Sequence, residues 1–200
     1  MPDISLTDFV DFVIKSGTPK LTKVRQLKAR GKYNPAHDYW RGMRKGIRAW
    51  HETDGTDLSA LDCVVDDCED IKKLPKYAAA LRGYRRFLGR KRITWFDPPW
   101  EDWKHGSLRV RVNPELGLKV DGVPHVVKMY FKDERLTKLR TGAVLALMEA
   151  AVRTKAPPRV KMAVLEVSSG KLYPASPNTA MAMPLLRGEA AAFTEIWDSL

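Results

Sequence analysis

Between Leu108 and Lys132 apolar and polar residues alternate with a period of two, interrupted by one aspartyl-glycine pair. Leu108, Val110, Val112, Leu116, Leu118 and Val120 fall on even positions, while Arg109, Arg111, Asn113, Glu115, Lys119 and Asp121 fall on odd ones. This alternation predicts a half-buried strand. Asp121-Gly122 suits a two-residue type I′ turn, whose central residues both need positive φ. The return arm then starts at Val123, and the turn sets the register. It places Val120 opposite Val123, Leu118 opposite His125, Leu116 opposite Val127, Glu115 opposite Lys128 and Asn113 opposite Tyr130. Val127, Met129 and Phe131 join the apolar face, while Lys128, Tyr130 and Lys132 join the polar one. A slip of one residue would bury the charges. Pro114 and Pro124 lack a ladder donor and belong at a bulge, bend or edge, so Asn113-Pro114 marks where the first arm can break.

Helical periodicity dominates the residues before this hairpin. Ser5 is a predicted N-cap with Asp8 in the capping-box position, followed by the stripe Phe9, Val10, Phe12 and Val13 and a stop at Gly17. A second helix begins near Pro19, with Leu21, Val24 and Leu27 inward and Lys20, Lys23, Arg25, Lys28 and Arg30 outward, ending at Gly31. Asn34-Pro35 predicts the start of a third, burying Tyr39, Met43, Ile47 and Trp50 and exposing Arg41, Arg44, Lys45 and Arg48. A fourth, near Lys76 to Leu88, buries Tyr77, Leu81, Tyr84 and Leu88 and exposes Arg82, Arg85 and Arg86. These helices predict an all-α basic subdomain over residues 1–92.

Residues 93–200 predict an α/β core. The segment WFDPPWEDW, Trp95 to Trp103, is extended by Pro98-Pro99, and its aromatics suit cover over a core edge better than stacking on a ligand. After the hairpin a helix runs from Asp133 to about Arg153, stopped by Ala156-Pro157-Pro158; a buried strand follows over Val160 to Ser168, then a turn into Lys171 to Tyr173. The segment ASPNTAMAMP is loop-like, and a short helix covers Gly188 to Leu200. The fold class is therefore α+β, sandwich-like: basic helices packed on a mostly antiparallel sheet with a long crossover helix. The two regions form one continuous globular unit.

Charge narrows the function. The chain of 200 residues carries 35 Lys and Arg against 24 Asp and Glu, a net charge of +11. From Lys15 to Arg48 the only acid is Asp38. Such a block implies a polyanionic partner: nucleic acid first, an acidic protein surface second. The expected nucleic-acid-binding residues are Lys20, Lys23, Lys28, Arg41, Arg44, Lys45, Arg48, Arg82, Arg85 and Arg86. No apolar run is long enough for a membrane span, and MPDISLTDF lacks a signal-peptide pattern, so the expectation is a cytoplasmic protein without membrane contact. Cys63 and Cys68, four residues apart in between, suit reduced thiols better than zinc. The acidic stretch between Thr56 and Asp70 lacks calcium-loop spacing and reads as a short helix facing a basic neighbour. The four histidines are dispersed, and no P-loop, dinucleotide fingerprint or GxSxG elbow is present.

Helices, then a hairpin carrying a carboxylate and a lysine, then a helix and a further strand: this order, over Leu108 to Tyr173, resembles the core of the PD-(D/E)XK nuclease superfamily. The resemblance implies a restriction-endonuclease-like fold. It also implies acids on the hairpin that hold Mg²⁺ or Mn²⁺, with a lysine that positions the attacking water. Lys128 takes the place of the motif lysine, yet its tripeptide is Val126-Val127-Lys128, without the acid. Tyr130-Phe131-Lys132 departs in the same way. Glu115 and Asp121 are then the candidate metal ligands, and Glu115, Asp121 and Lys128 the candidate catalytic set. Two hypotheses follow. One is a metal-dependent nuclease gripping nucleic acid with its basic helices; the other is a binding or adaptor protein of the same fold, without a cofactor, in which Glu115 and Lys128 form a cross-strand ion pair and Asp121 only makes the turn.

Overall fold

Asn113-Pro114 divides the predicted first arm between two sheets. The computed structural model describes residues 1–30, 38–53, 55–68 and 70–200. In it Leu108–Val112 (β4) lies between Asp3–Ser5 (β1), which is parallel to it, and Glu101–His105 (β3), which is antiparallel. Leu116–Val120 (β5) belongs to a five-stranded sheet. Its order is Ile93–Phe96 (β2), β5, Val123–Tyr130 (β6), Lys161–Glu166 (β7) and Lys171–Pro174 (β8). The β5–β6 register is the one that turn chemistry predicts, from Val120 opposite Val123 to Leu116 opposite Val127. Asp121 and Gly122 have φ of 48° and 86°, as a type I′ turn requires.

The α+β class holds, and β6 and β7 are parallel, joined by the crossover helix Lys138–Val152 (α6). That helix starts later than Asp133. Thr137, extended at ψ 158°, accepts the Arg140 N–H and caps it, leaving the residues just after β6 as a loop. Ala143 to Met148 are buried without a break, so α6 is enclosed rather than amphipathic.

The N-terminal helices do not form one all-α subdomain. Leu6–Val13 (α1), capped by Ser5, and Thr18–Arg30 (α2) share a core with β1, β4, α6 and the C-terminal helix Met183–Ser199 (α7). Arg41–Glu52 (α3) and Leu74–Leu88 (α5) instead cover the opposite face of the five-stranded sheet. With both faces covered, period-two alternation separates two cores rather than core from water. Val126 and Tyr130 face one, while Val127, Met129 and Phe131 face the other. Gly83 allows α5 to dock: a Cβ there would meet the Val167 carbonyl at 2.0 Å.

Smaller corrections have equally local causes. Leu21 is exposed, because the basic face of α2 turns toward acids on α1 and α7. The C-terminal helix begins at Met183, with Pro at its first turn, well before Gly188. The expected stop at Gly31 and start at Asn34-Pro35 lie outside the described residues. The acidic helix is Cys63–Asp66 (α4), and Asp62 before it pairs with Arg85 at 2.9 Å. Of the tryptophan segment, Trp103 is buried and Trp95 half-buried, while Trp100 is 59% exposed.

Candidate functional site

The hairpin brings Glu115 and Lys128 together, with Lys128 Nζ 2.5 Å from Glu115 Oε1. Glu115 sits one residue before β5, its N–H donating to the Val127 carbonyl at 3.1 Å. Its other oxygen, Oε2, accepts the Met129 N–H at 2.8 Å, and Lys128 also donates to the Asn113 carbonyl at 3.2 Å. The two side chains are only 12% and 11% exposed, so the pair is set into the junction of the two sheets rather than on an open polar face. Each oxygen of Glu115 therefore has a donor where the chain changes sheets, at Asn113-Pro114. This pair staples the crossing point.

Asp121 does not join them. It lies at the far end of β5, roughly 20 Å along a strand of this rise from Glu115. Its carboxylate accepts the Arg92 N–H at 2.9 Å, and its own N–H donates to the Arg92 carbonyl at 2.9 Å. The hairpin tip is thereby tied to the chain entering β2. Glu115 and Asp121 do not fit a common cation, and among the described residues no group of three or more His, Cys, Asp and Glu could hold a metal ion. His125, on the apolar parity, is buried, and burial lowers its pKa from the ordinary histidine value.

A denser ionic cluster, not evident in the sequence, lies where α1, α2 and α6 meet the end of β6. Asp11 accepts from Lys132 at 2.5 and 2.6 Å and from Arg140 Nη1 at 2.6 Å, with Lys23 at 3.7 Å. Asp8 accepts from Lys23 at 2.9 Å, Arg30 at 2.8 Å and the Ser5 hydroxyl at 2.8 Å. Burial by itself would raise the Asp8 pKa, but Arg30, Lys23 and Ser5 outweigh it and hold the carboxyl below its ordinary value. Arg140 is 4% exposed and lies over the Tyr130 ring at 5.4 Å. In register with Tyr130, Glu166 accepts the Leu136 N–H at 3.0 Å and the Ser169 hydroxyl at 2.5 Å. Asp11 and Arg140 lie 129 residues apart, so their meeting is a property of the fold.

This cluster and its neighbours consume many of the expected nucleic-acid ligands. Lys23 serves Asp8 and Asp11, Lys20 pairs with Glu189, and Lys28 donates to the Trp197 carbonyl at 2.8 Å. Arg44 pairs with Asp38, Arg48 with Glu52 and Asp97, and Arg85 with Asp62, while Arg86 donates to the Ser168 carbonyl. Arg41, Lys45 and Arg82 are exposed and have no such partner among the described residues. Arg41 and Lys45 stand one turn apart on α3, so they share a face.

On the sheet side of α3, His51 and Tyr84 share a buried hydrogen bond, with Trp95 stacked 6.1 Å from the imidazole. Desolvation lowers the His51 pKa to about 4 and raises that of Tyr84 well above its ordinary value. Neutral His51 is thus part of the second core. No family model, curated protein or solved structure matches this chain significantly.

Proposed function

We propose that the protein binds nucleic acid through the exposed cations of α3 and α5, with the hairpin, crossover helix and parallel strand serving as a nuclease-like scaffold. One observation carries this reading: Arg41 and Lys45 share a solvent face of α3 with no counter-ion among the described residues, in a chain of net charge +11. Holding two like charges a turn apart costs a few tenths of a kcal/mol in an isolated helix. A phosphate chain offsets that repulsion and releases counter-ions. The order of hairpin, helix and parallel strand supports likeness to the PD-(D/E)XK core. In this reading Glu115 and Lys128 act as a structural joint, since both Glu115 oxygens already have protein donors.

Three phosphate contacts, from Arg41, Lys45 and Arg82, give a log–log salt slope of about −2 to −3, so affinity for an oligonucleotide should drop roughly 15- to 60-fold between about 50 and 200 mM salt. An affinity indifferent to salt rejects the proposal. In the same samples, with Mg²⁺ or Mn²⁺ added, Lys128→Ala should bind like the parent chain. Cleavage by the parent that Lys128→Ala abolishes would restore the nuclease reading.

A further inference from the structure

We infer that the groove beside Trp40 takes an unpaired nucleotide, so that the ligand of this protein is single-stranded nucleic acid; this rests on the reading above and deepens it. The groove has a volume of about 300 Å³, the size of one nucleotide, and is lined by Tyr39, Trp40, Lys76, Phe131, Lys132, Asp133 and Glu134. It opens at the carboxyl end of β6, next to its parallel neighbour β7.

Tyr39 and Trp40 are half-buried, and their rings meet at 68° with centroids 5.0 Å apart, forming an aromatic corner. Trp40 is held rigid by stacking on Phe131 at 4.9 Å and on Tyr77 at 5.5 Å. The Tyr77 hydroxyl donates to the Tyr39 carbonyl at 2.8 Å, which fixes the other wall. With Trp40 already stacked on Phe131 and Tyr77, the Tyr39 ring is the surface left for a base, and such stacking takes a base of any identity. Cations stand around it. Lys73 lies over the Tyr39 ring at 5.4 Å, and Arg41 follows Trp40 directly at the start of α3. Lys76 reaches across the groove to Asp133 at 2.5 Å, a clasp between groups that are 52% and 75% exposed. So exposed a pair contributes little and exchanges easily for a phosphate. A duplex keeps its bases stacked on one another and cannot offer one to the corner.

The test compares an oligothymidylate, an oligouridylate and a duplex, each about 12 nucleotides long, by fluorescence anisotropy at one salt concentration, on the full chain and on Tyr39→Ala, Tyr39→Phe and Lys76→Ala. Circular dichroism confirms that each variant is folded. Tyr39→Ala should weaken single-strand binding roughly tenfold, the stacking contribution of one base, with Tyr39→Phe retaining it and Lys76→Ala losing less. Duplex binding should be weaker and indifferent to residue 39. A preference between the two single strands still supports the base site and reports whether the sugar hydroxyl is read. If Tyr39→Ala binds single strands like the parent, the groove assignment falls while the phosphate-binding reading stands. If Tyr39→Ala weakens duplex and single strand alike, the unpaired-base assignment falls. If the parent chain binds none of the three, both fall.

Discussion

Replacing Arg140 with Ala is expected to lower the unfolding free energy by about 3 kcal/mol, seen as an earlier urea midpoint. Arg140 is buried, and its guanidinium joins Asp11 of α1 to Glu134 before α6, over the Tyr130 ring of β6. Ala removes charge-assisted hydrogen bonds, each contributing roughly 1.5 to 3 kcal/mol, together with the packing of the aliphatic stem. Lys132 and Lys23 still neutralise Asp11, which keeps the cost at the lower end for a broken buried pair. Arg140→Met retains the stem and should lose less. A loss below about 1 kcal/mol for Ala would show that water reaches the cluster and that it does not bind α1 to the sheet.

Acidification gives the second large effect. The folded state keeps His51 neutral down to about pH 4, whereas an unfolded histidine takes up a proton near 6.5. Below 6.5 the unfolded chain therefore binds more protons than the native one, so stability drops as pH falls and levels off below the folded pKa. From pH 7.5 to 5 this amounts to about 2 kcal/mol for His51. His125, also lowered by burial, adds a loss of the same sign. Asp8, whose folded pKa is depressed, stabilises above its unfolded value of 3.8 and loses that contribution only in stronger acid, outside this window. His51→Gln should remove about 2 kcal/mol of the dependence between pH 7.5 and 5, measured as the difference in urea unfolding at the two values. An unchanged pH dependence would contradict a buried neutral imidazole.

The hairpin register was legible because Asp-Gly and period-two alternation act locally, and both fix the same pairing. Glu115 and Lys128 were found for that reason. Their burial was not, since parity separates the faces of a strand without telling whether the second face meets water or another core. Here α6 covers it, and Tyr130 is buried where a polar face was expected. The basic helices misled in a related way. Lys20 and Lys23 look outward on a helical wheel, but their counter-ions, Glu189 and Asp8, are 169 and 15 residues away in sequence. Helical periodicity could not show α1 and α3 packing on opposite sides of a sheet formed later in the chain. Trp40 and Phe131 came together by the same long-range route, a stacking that local pattern does not show.

Phosphate binding by Arg41, Lys45 and Arg82 is the step on which the proposed function rests. Its most direct test is the salt dependence of oligonucleotide affinity, measured in parallel for the parent chain and for the triple variant Arg41→Ala, Lys45→Ala, Arg82→Ala. The log–log slope should become shallower by about 2 to 3 in the variant. Two parallel lines would contradict it, because the phosphates would then lie against some other surface of the molecule.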